Sequence, residues 1–109
     1  MKPVVWLSDS LELIRGFPAG ARREAGYQLE RVQAGKEPAD WKPMPSIGLG
    51  ASEIRVRSGG AFRVIYVAKF QEAIYVIHVF QKKSRKTEKA DIELARGRFR
   101  LLIEERRRR

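Results

Sequence analysis

Between Ser52 and Phe80 the chain reads as three strands joined by short turns, and this limits the fold more than any other feature. Residues 52–57 alternate strictly. Glu53, Arg55 and Arg57 fall on one face, with Ile54 and Val56 on the other, the period of a strand with one wet side. Ser58-Gly59-Gly60-Ala61 is a hairpin turn signal. Residues 62–68 form the next strand, and residues 69–73 a polar turn. Residues 74–80 are the most apolar run and read as a central strand buried on both faces. Three successive strands with short turns imply an antiparallel meander.

The flanking segments supply the helices. Residues 3–7 are apolar and β-branched and predict a short first strand at a sheet edge. Asp9 with Glu12 forms a capping-box pattern, and Leu11, Ile14 and Phe17 give one apolar face before Gly16 and Pro18 break the helix. Ala21, Ala25, Leu29 and Val32 fall on one stripe, so residues 19–32 predict a second helix, with Gly35 as its stop. Residues 36–50 carry Pro38, Pro43 and Pro45 and read as a loop. Trp41 within it either packs on the core or offers a stacking surface. Thr87 is an N-cap for a last helix over 88–105, with Ile92, Ala95, Phe99 and Leu102 as its apolar stripe. The order is β-α-α-β-β-β-α. It predicts an α+β domain with an antiparallel sheet and its helices packed on one face. A chain of 109 residues fits one domain, taken as 1–105, followed by a basic tail at 106–109.

Charge narrows the partners. The chain holds 23 Lys and Arg against 13 Asp and Glu, a net charge of +10. Residues 1–50 contribute +1 and residues 51–109 contribute +9; without the last four arginines the second half still carries +5. Cations concentrated in one half of a small domain favour a polyanionic partner through counterion release. With no cysteine and one histidine, disulfides, thiolate sites and metals held by several imidazoles are excluded, and a reducing cytosol fits. No metal or cofactor is expected. The apolar run at the start is too short for a signal peptide, and no stretch approaches a membrane span, so a cytoplasmic, non-membrane protein is expected.

No phosphate-binding loop or nucleophile elbow is present, and the one adjacent carboxylate pair, Glu104-Glu105, falls near the end of the last helix, where it would face solvent. The chemistry-bearing residues are cations: Arg55, Arg57, Arg63, Lys82, Lys83, Arg85 and Lys86, with His78 nearby. Arg55 and Arg57 leave the same strand face, and Arg63 lies across the hairpin. Lys82 and Lys83 follow the third strand, so the sheet could gather these groups into one concave patch. RNA carries its own nucleophile, the 2′-hydroxyl. Close cations stabilise the phosphorane, and neighbouring positive charge lowers a Lys pKa toward general-base work. The same patch would also serve passive phosphate binding, or cover an exposed sheet face paired with Glu53. His78 is either a core histidine bonded to backbone or an acid or base at the patch rim.

The chain resembles the RelE/ParE superfamily of toxin–antitoxin toxins, and within it the HigB-like, phage-derived Gp49-like branch. The residues that carry the likeness are Trp41-Lys42, Gly48-Leu49-Gly50, Glu53-Ile54-Arg55-Val56-Arg57 and Phe62-Arg63-Val64-Ile65-Tyr66. To these are added His78-Val79-Phe80-Gln81-Lys82-Lys83-Ser84-Arg85-Lys86-Thr87 and Glu93-Leu94-Ala95. The resemblance covers roughly residues 3–103. It implies a small α/β unit with an antiparallel sheet. It also implies a metal-independent endoribonuclease that cuts mRNA in the ribosomal A site, and a helix-turn-helix antitoxin bound to it as a hetero-oligomer. Carried over by position, Arg55 and Arg63 fall where related nucleases have phosphate-contacting basic residues, and Lys82 or Lys83 where a basic catalytic residue follows the last strand. Arg55, Arg63, Lys82 and Lys83 are the expected catalytic residues, and Arg57, Arg85, Lys86 and His78 the expected RNA- or phosphate-binding ones. The last helix departs from the RelE pattern in having no tyrosine; tyrosines stand only at Tyr27, Tyr66 and Tyr75. The alternatives are a ParE-like inhibitor of DNA gyrase and an inactive phage-derived nucleic-acid-binding module.

Overall fold

The computed structural model describes residues 1–83 and 89–109. The elements are β1 (Val4–Trp6), α1 (Ser10–Arg15), α2 (Ala19–Gln33), β2 (Trp41–Pro43), β3 (Ala51–Arg57), β4 (Ala61–Val67), β5 (Ile74–Lys82) and α3 (Lys89–Arg107). They build one five-stranded sheet in the order β1-β5-β4-β3-β2. The α+β class stands. β2 to β5 form the antiparallel meander, and β1 lies at the edge.

Three features differ from the sequence expectation. First, the sheet is mixed, because β1 pairs parallel to β5. Second, part of the loop forms β2, an edge strand paired with β3 through Trp41 and Ile54. Its outer side needs no apolar face, which hid it from the periodicity. Third, the helices cover both faces of the sheet. Ile14, Phe17, Ala21, Ala25 and Leu29 of the α1–α2 region pack on Ile54, Val56, Phe62, Val64 and Val76. On the opposite face, Ala95 and Leu102 of α3 join Ile65, Val67, Tyr75 and Ile77. β4 and β5 are apolar on both sides, so one helical layer would leave half of that surface wet.

A bulge sets which residues face α3. Ile65 pairs with His78, yet its neighbour Tyr66 pairs with Val76, leaving Ile77 as the extra residue of β5. The doubling places Ile77 and His78 together on the α3 side. Gly48 permits the close approach of the same helix, since a Cβ there would meet the Phe99 ring at 2.3 Å.

The expected capping box does not form. Asp9 is the N-cap of α1 without a side-chain cap bond. Its Oδ1 instead lies 2.7 Å from Nη2 of Arg98 on α3. The expected start of a basic tail at Arg106 falls within the last turn of α3. The expected N-cap Thr87 lies outside the described residues. Among the described residues, no helix is long and apolar enough to cross a membrane.

Candidate nucleic-acid interface

Arg55 and Arg63 are register partners on β3 and β4. Antiparallel partners share a face, and here it is the α3 side, where Glu53 also points. Glu53 is only 2% exposed. Its Oε1 lies 3.5 Å from Nε of Arg63, and its Oε2 accepts from Nε of Arg55 at 3.4 Å. Arg63 is itself buried, at 7% exposure, and its Nη1 donates to the carbonyl of Phe62 at 3.1 Å. A buried guanidinium without a counter-charge is costly by several kcal/mol. Glu53 offsets that cost and fixes the guanidinium's direction. Arg55 is half-buried and also approaches Asp40, with Nη1 3.8 Å from Oδ1.

Beside this pair the sheet opens into a cleft of about 660 Å³. Its cationic walls are Arg57, Arg63, Lys82 and Lys83, and the hairpin turn 58–61 closes one end. Gly59 takes φ of +67° in that turn, a conformation that glycine adopts without strain. Arg57 and Lys83 are exposed, and Arg63 lies deeper. Thus the ends of β3 and β5 and the start of β4 bring together four of the expected residues. Arg55 stands next to the cleft rather than in its lining, tied to Glu53 and Asp40. Arg85 and Lys86 lie outside the described residues.

The structure does not place His78 in the cleft. It is 6% exposed and stacks on Phe80, with centroids 5.4 Å apart and planes at 18°. Its Nε2 lies 2.8 Å from Oδ1 of Asp91, and its Nδ1 lies 3.4 Å from Nη1 of Arg98. A guanidinium only donates, so the network assigns Nδ1 as acceptor and puts the proton on Nε2, toward Asp91. The same Arg98 atom donates to the carbonyl of Ile77 at 3.0 Å. Expected as a phosphate ligand, His78 instead joins β5 to α3. The bulge that turns it toward α3 has no signature in the alternation of residues.

The model of the family described as "Phage derived protein Gp49-like" matches residues 12–100. The chain belongs to the Gp49-like family. This family lies within the RelE/HigB-like toxin superfamily, the level at which the motif resemblance holds. A search of curated proteins returns no match to the chain.

The Gp49-like match spans β3, β4, β5 and most of α3, and so takes in the whole cleft with the Glu53–Arg63 pair. Glu53 belongs to the matched span yet was not among the expected site residues. Its signal was present: a carboxylate two and four residues before arginines on one strand face. Asp91 and Arg98 gave no such signal, because their partner His78 is distant in sequence. Among the described residues of the Gp49-like chain, no group of three or more His, Asp or Glu could hold a metal ion.

Proposed function

We propose that this Gp49-like protein is the toxin of a type II toxin–antitoxin system. In this reading it acts in the cytoplasm as a ribosome-dependent, metal-independent mRNA endonuclease. The observation that carries the reading is the convergence of Arg57, Arg63, Lys82 and Lys83 on one cleft, with Arg63 held by a buried carboxylate. Exposed cations draw the RNA backbone in, and Arg57 and Lys83 serve that role. A rigid guanidinium can meet charge as it develops, and Arg63 serves that one.

RNA supplies both the nucleophile and the leaving group. The 2′-oxygen attacks phosphorus and the bond to the 5′-oxygen breaks. The 2′-proton leaves to solvent, the leaving 5′-oxygen takes a proton from the ammonium of a cleft lysine, and solvent returns a proton to that lysine. The products are a 2′,3′-cyclic phosphate and a 5′-hydroxyl. Arg63 stabilises the phosphorane oxygens, and Arg55 holds the far side of Glu53 so that Arg63 keeps its orientation. The ribosomal A site would present the mRNA strand, and a cognate helix-turn-helix antitoxin would restrain the toxin.

The test is induced expression followed by mapping of mRNA 5′ ends, with and without ribosome engagement. New 5′ ends on translating mRNA are expected. They should be lost in Arg63→Ala and in the Lys82→Ala, Lys83→Ala double variant. Folded variants that remain fully toxic would overturn the site. DNA-damage signalling with intact mRNA would overturn the activity.

A further inference from the structure

A second cavity, of about 410 Å³, lies on the other face of the sheet. Trp41, Ser52 and Tyr66 line it, with Lys2 and Lys36 among its polar groups. Ser52 and Tyr66 are register partners on β3 and β4, and Tyr66 belongs to the core beneath α2. Trp41 pairs with Ile54, which belongs to that same core, so the indole lies on the α2 side. From Ser52 here to Ser58 at the cleft is six residues along the chain, about 20 Å of extended strand. The cavity sits beside β2, the last strand of the sheet among the described residues.

Its groups suit a flat, hydrogen-bonding ring that carries an anion. Trp41 is half-buried, so part of its indole remains available. Burial, with the charge of Glu37 adding, pushes the Tyr66 hydroxyl up to about 12 against the opposing bond from Ser52. The phenol therefore stays neutral, able to donate and accept. Lys2 is held rigidly, donating to the carbonyls of Ala68 and Phe70 at 2.7 Å each. Those partners carry no charge, and Lys2 has no ion pair among the described residues; the lining sets the one carboxylate of Glu37 against the cations of Lys2, Lys36 and Lys69. Lys36 is exposed, also with no ion pair among the described residues. An aromatic wall beside an excess of cations over carboxylates is the combination that binds single-stranded nucleic acid, stacking the base and holding the phosphate.

We propose that this cavity binds one unstacked nucleotide of single-stranded RNA, with its base against Trp41 and its phosphate at Lys2 and Lys36. The choice of nucleotide over other aromatic anions rests on the reading that the chain acts on RNA. The site anchors the strand remote from the cleft and contributes no group to cleavage.

Trp41 reports on its own pocket once the second tryptophan is removed by Trp6→Phe. That variant is titrated with the four 5′-mononucleotides, the matching nucleosides, ribose 5-phosphate and an acidic peptide. Mononucleotides should quench the fluorescence saturably. Nucleosides should bind about tenfold more weakly, and ribose 5-phosphate should give no response. Lys36→Glu, an exposed change, should abolish the preference for nucleotide over nucleoside. Absence of saturable quenching by every nucleotide, or a response to the acidic peptide alone, would overturn the proposal. A parallel assay of mRNA cleavage by the parent protein separates the two readings. Quenching that persists while mRNA cleavage is absent from the parent protein sinks the nuclease and keeps the pocket. Cleavage without quenching does the reverse.

Discussion

Arg55 and Arg63 face each other directly across β3 and β4 and divide one buried carboxylate, that of Glu53, between them. The arrangement gives the cleft one buried, carboxylate-held cation beside the exposed Arg57 and Lys83.

Glu53→Gln removes the counter-charge of a buried guanidinium. The expected cost is about 3 kcal/mol, read as a lower urea midpoint with an unchanged slope. Activity should fall more than in a surface variant of equal stability, since Arg63 loses its direction. A midpoint equal to that of the parent protein would refute the pairing.

Arg57→Ala with Lys83→Ala removes two exposed cations of the cleft. Stability should stay within about 0.5 kcal/mol of the parent. Affinity for a single-stranded oligonucleotide should fall, and the slope of log affinity against log salt should drop by about 1.4. An unchanged salt slope would show that RNA does not enter this cleft.

His78→Ala strips Asp91 and Arg98 of their shared partner. A loss of about 1–3 kcal/mol is expected. Oligonucleotide affinity of the folded variant should match the parent's, because His78 lies beneath α3 rather than in the cleft. A variant of full stability that no longer binds RNA would reverse this assignment.

Glu72 supplies a pH dependence. Arg106 Nε and Nη2 donate to its two oxygens at 2.8 and 3.1 Å, and the Tyr75 hydroxyl donates at 2.8 Å. The Arg106 guanidinium lies 3.6 Å from the Phe70 ring centroid. With Arg106 the largest cause, the Glu72 carboxyl is held at about 2 instead of 4.5. A depressed carboxyl stabilises the fold above its unfolded value and loses that contribution as pH falls through the folded one. The melting-temperature gap between parent and Glu72→Gln should therefore be full at pH 7. It should shrink between pH 4.5 and 2, the window set by these two values. The pair is exposed, so the gap is small, and 1 M salt should narrow it further. A gap that is constant down to pH 2 would exclude the clamp.

Local order settled much of this protein in advance. Alternation in residues 52–57 and the Gly59-Gly60 turn place Arg55 opposite Arg63 before any tertiary contact is known. The apolar stripes of α2 and α3, the edge position of β1 and the basic second half follow from residue spacing in the same way. These are properties of neighbours in the chain, and backbone periods of 2.0 and 3.6 transmit them.

Tertiary structure alone decided the rest. It put α3 on the face opposite α2, because β4 and β5 are apolar on both sides and need two covers. It turned His78 toward Asp91 through a one-residue bulge. It moved Arg55 out of the cleft lining by giving it Asp40. It drew Arg106 from an expected tail onto Glu72 and Phe70. Each outcome is a pairing between groups far apart in sequence. A buried charge takes whichever partner the packing brings near, and spacing along one strand or helix does not name it.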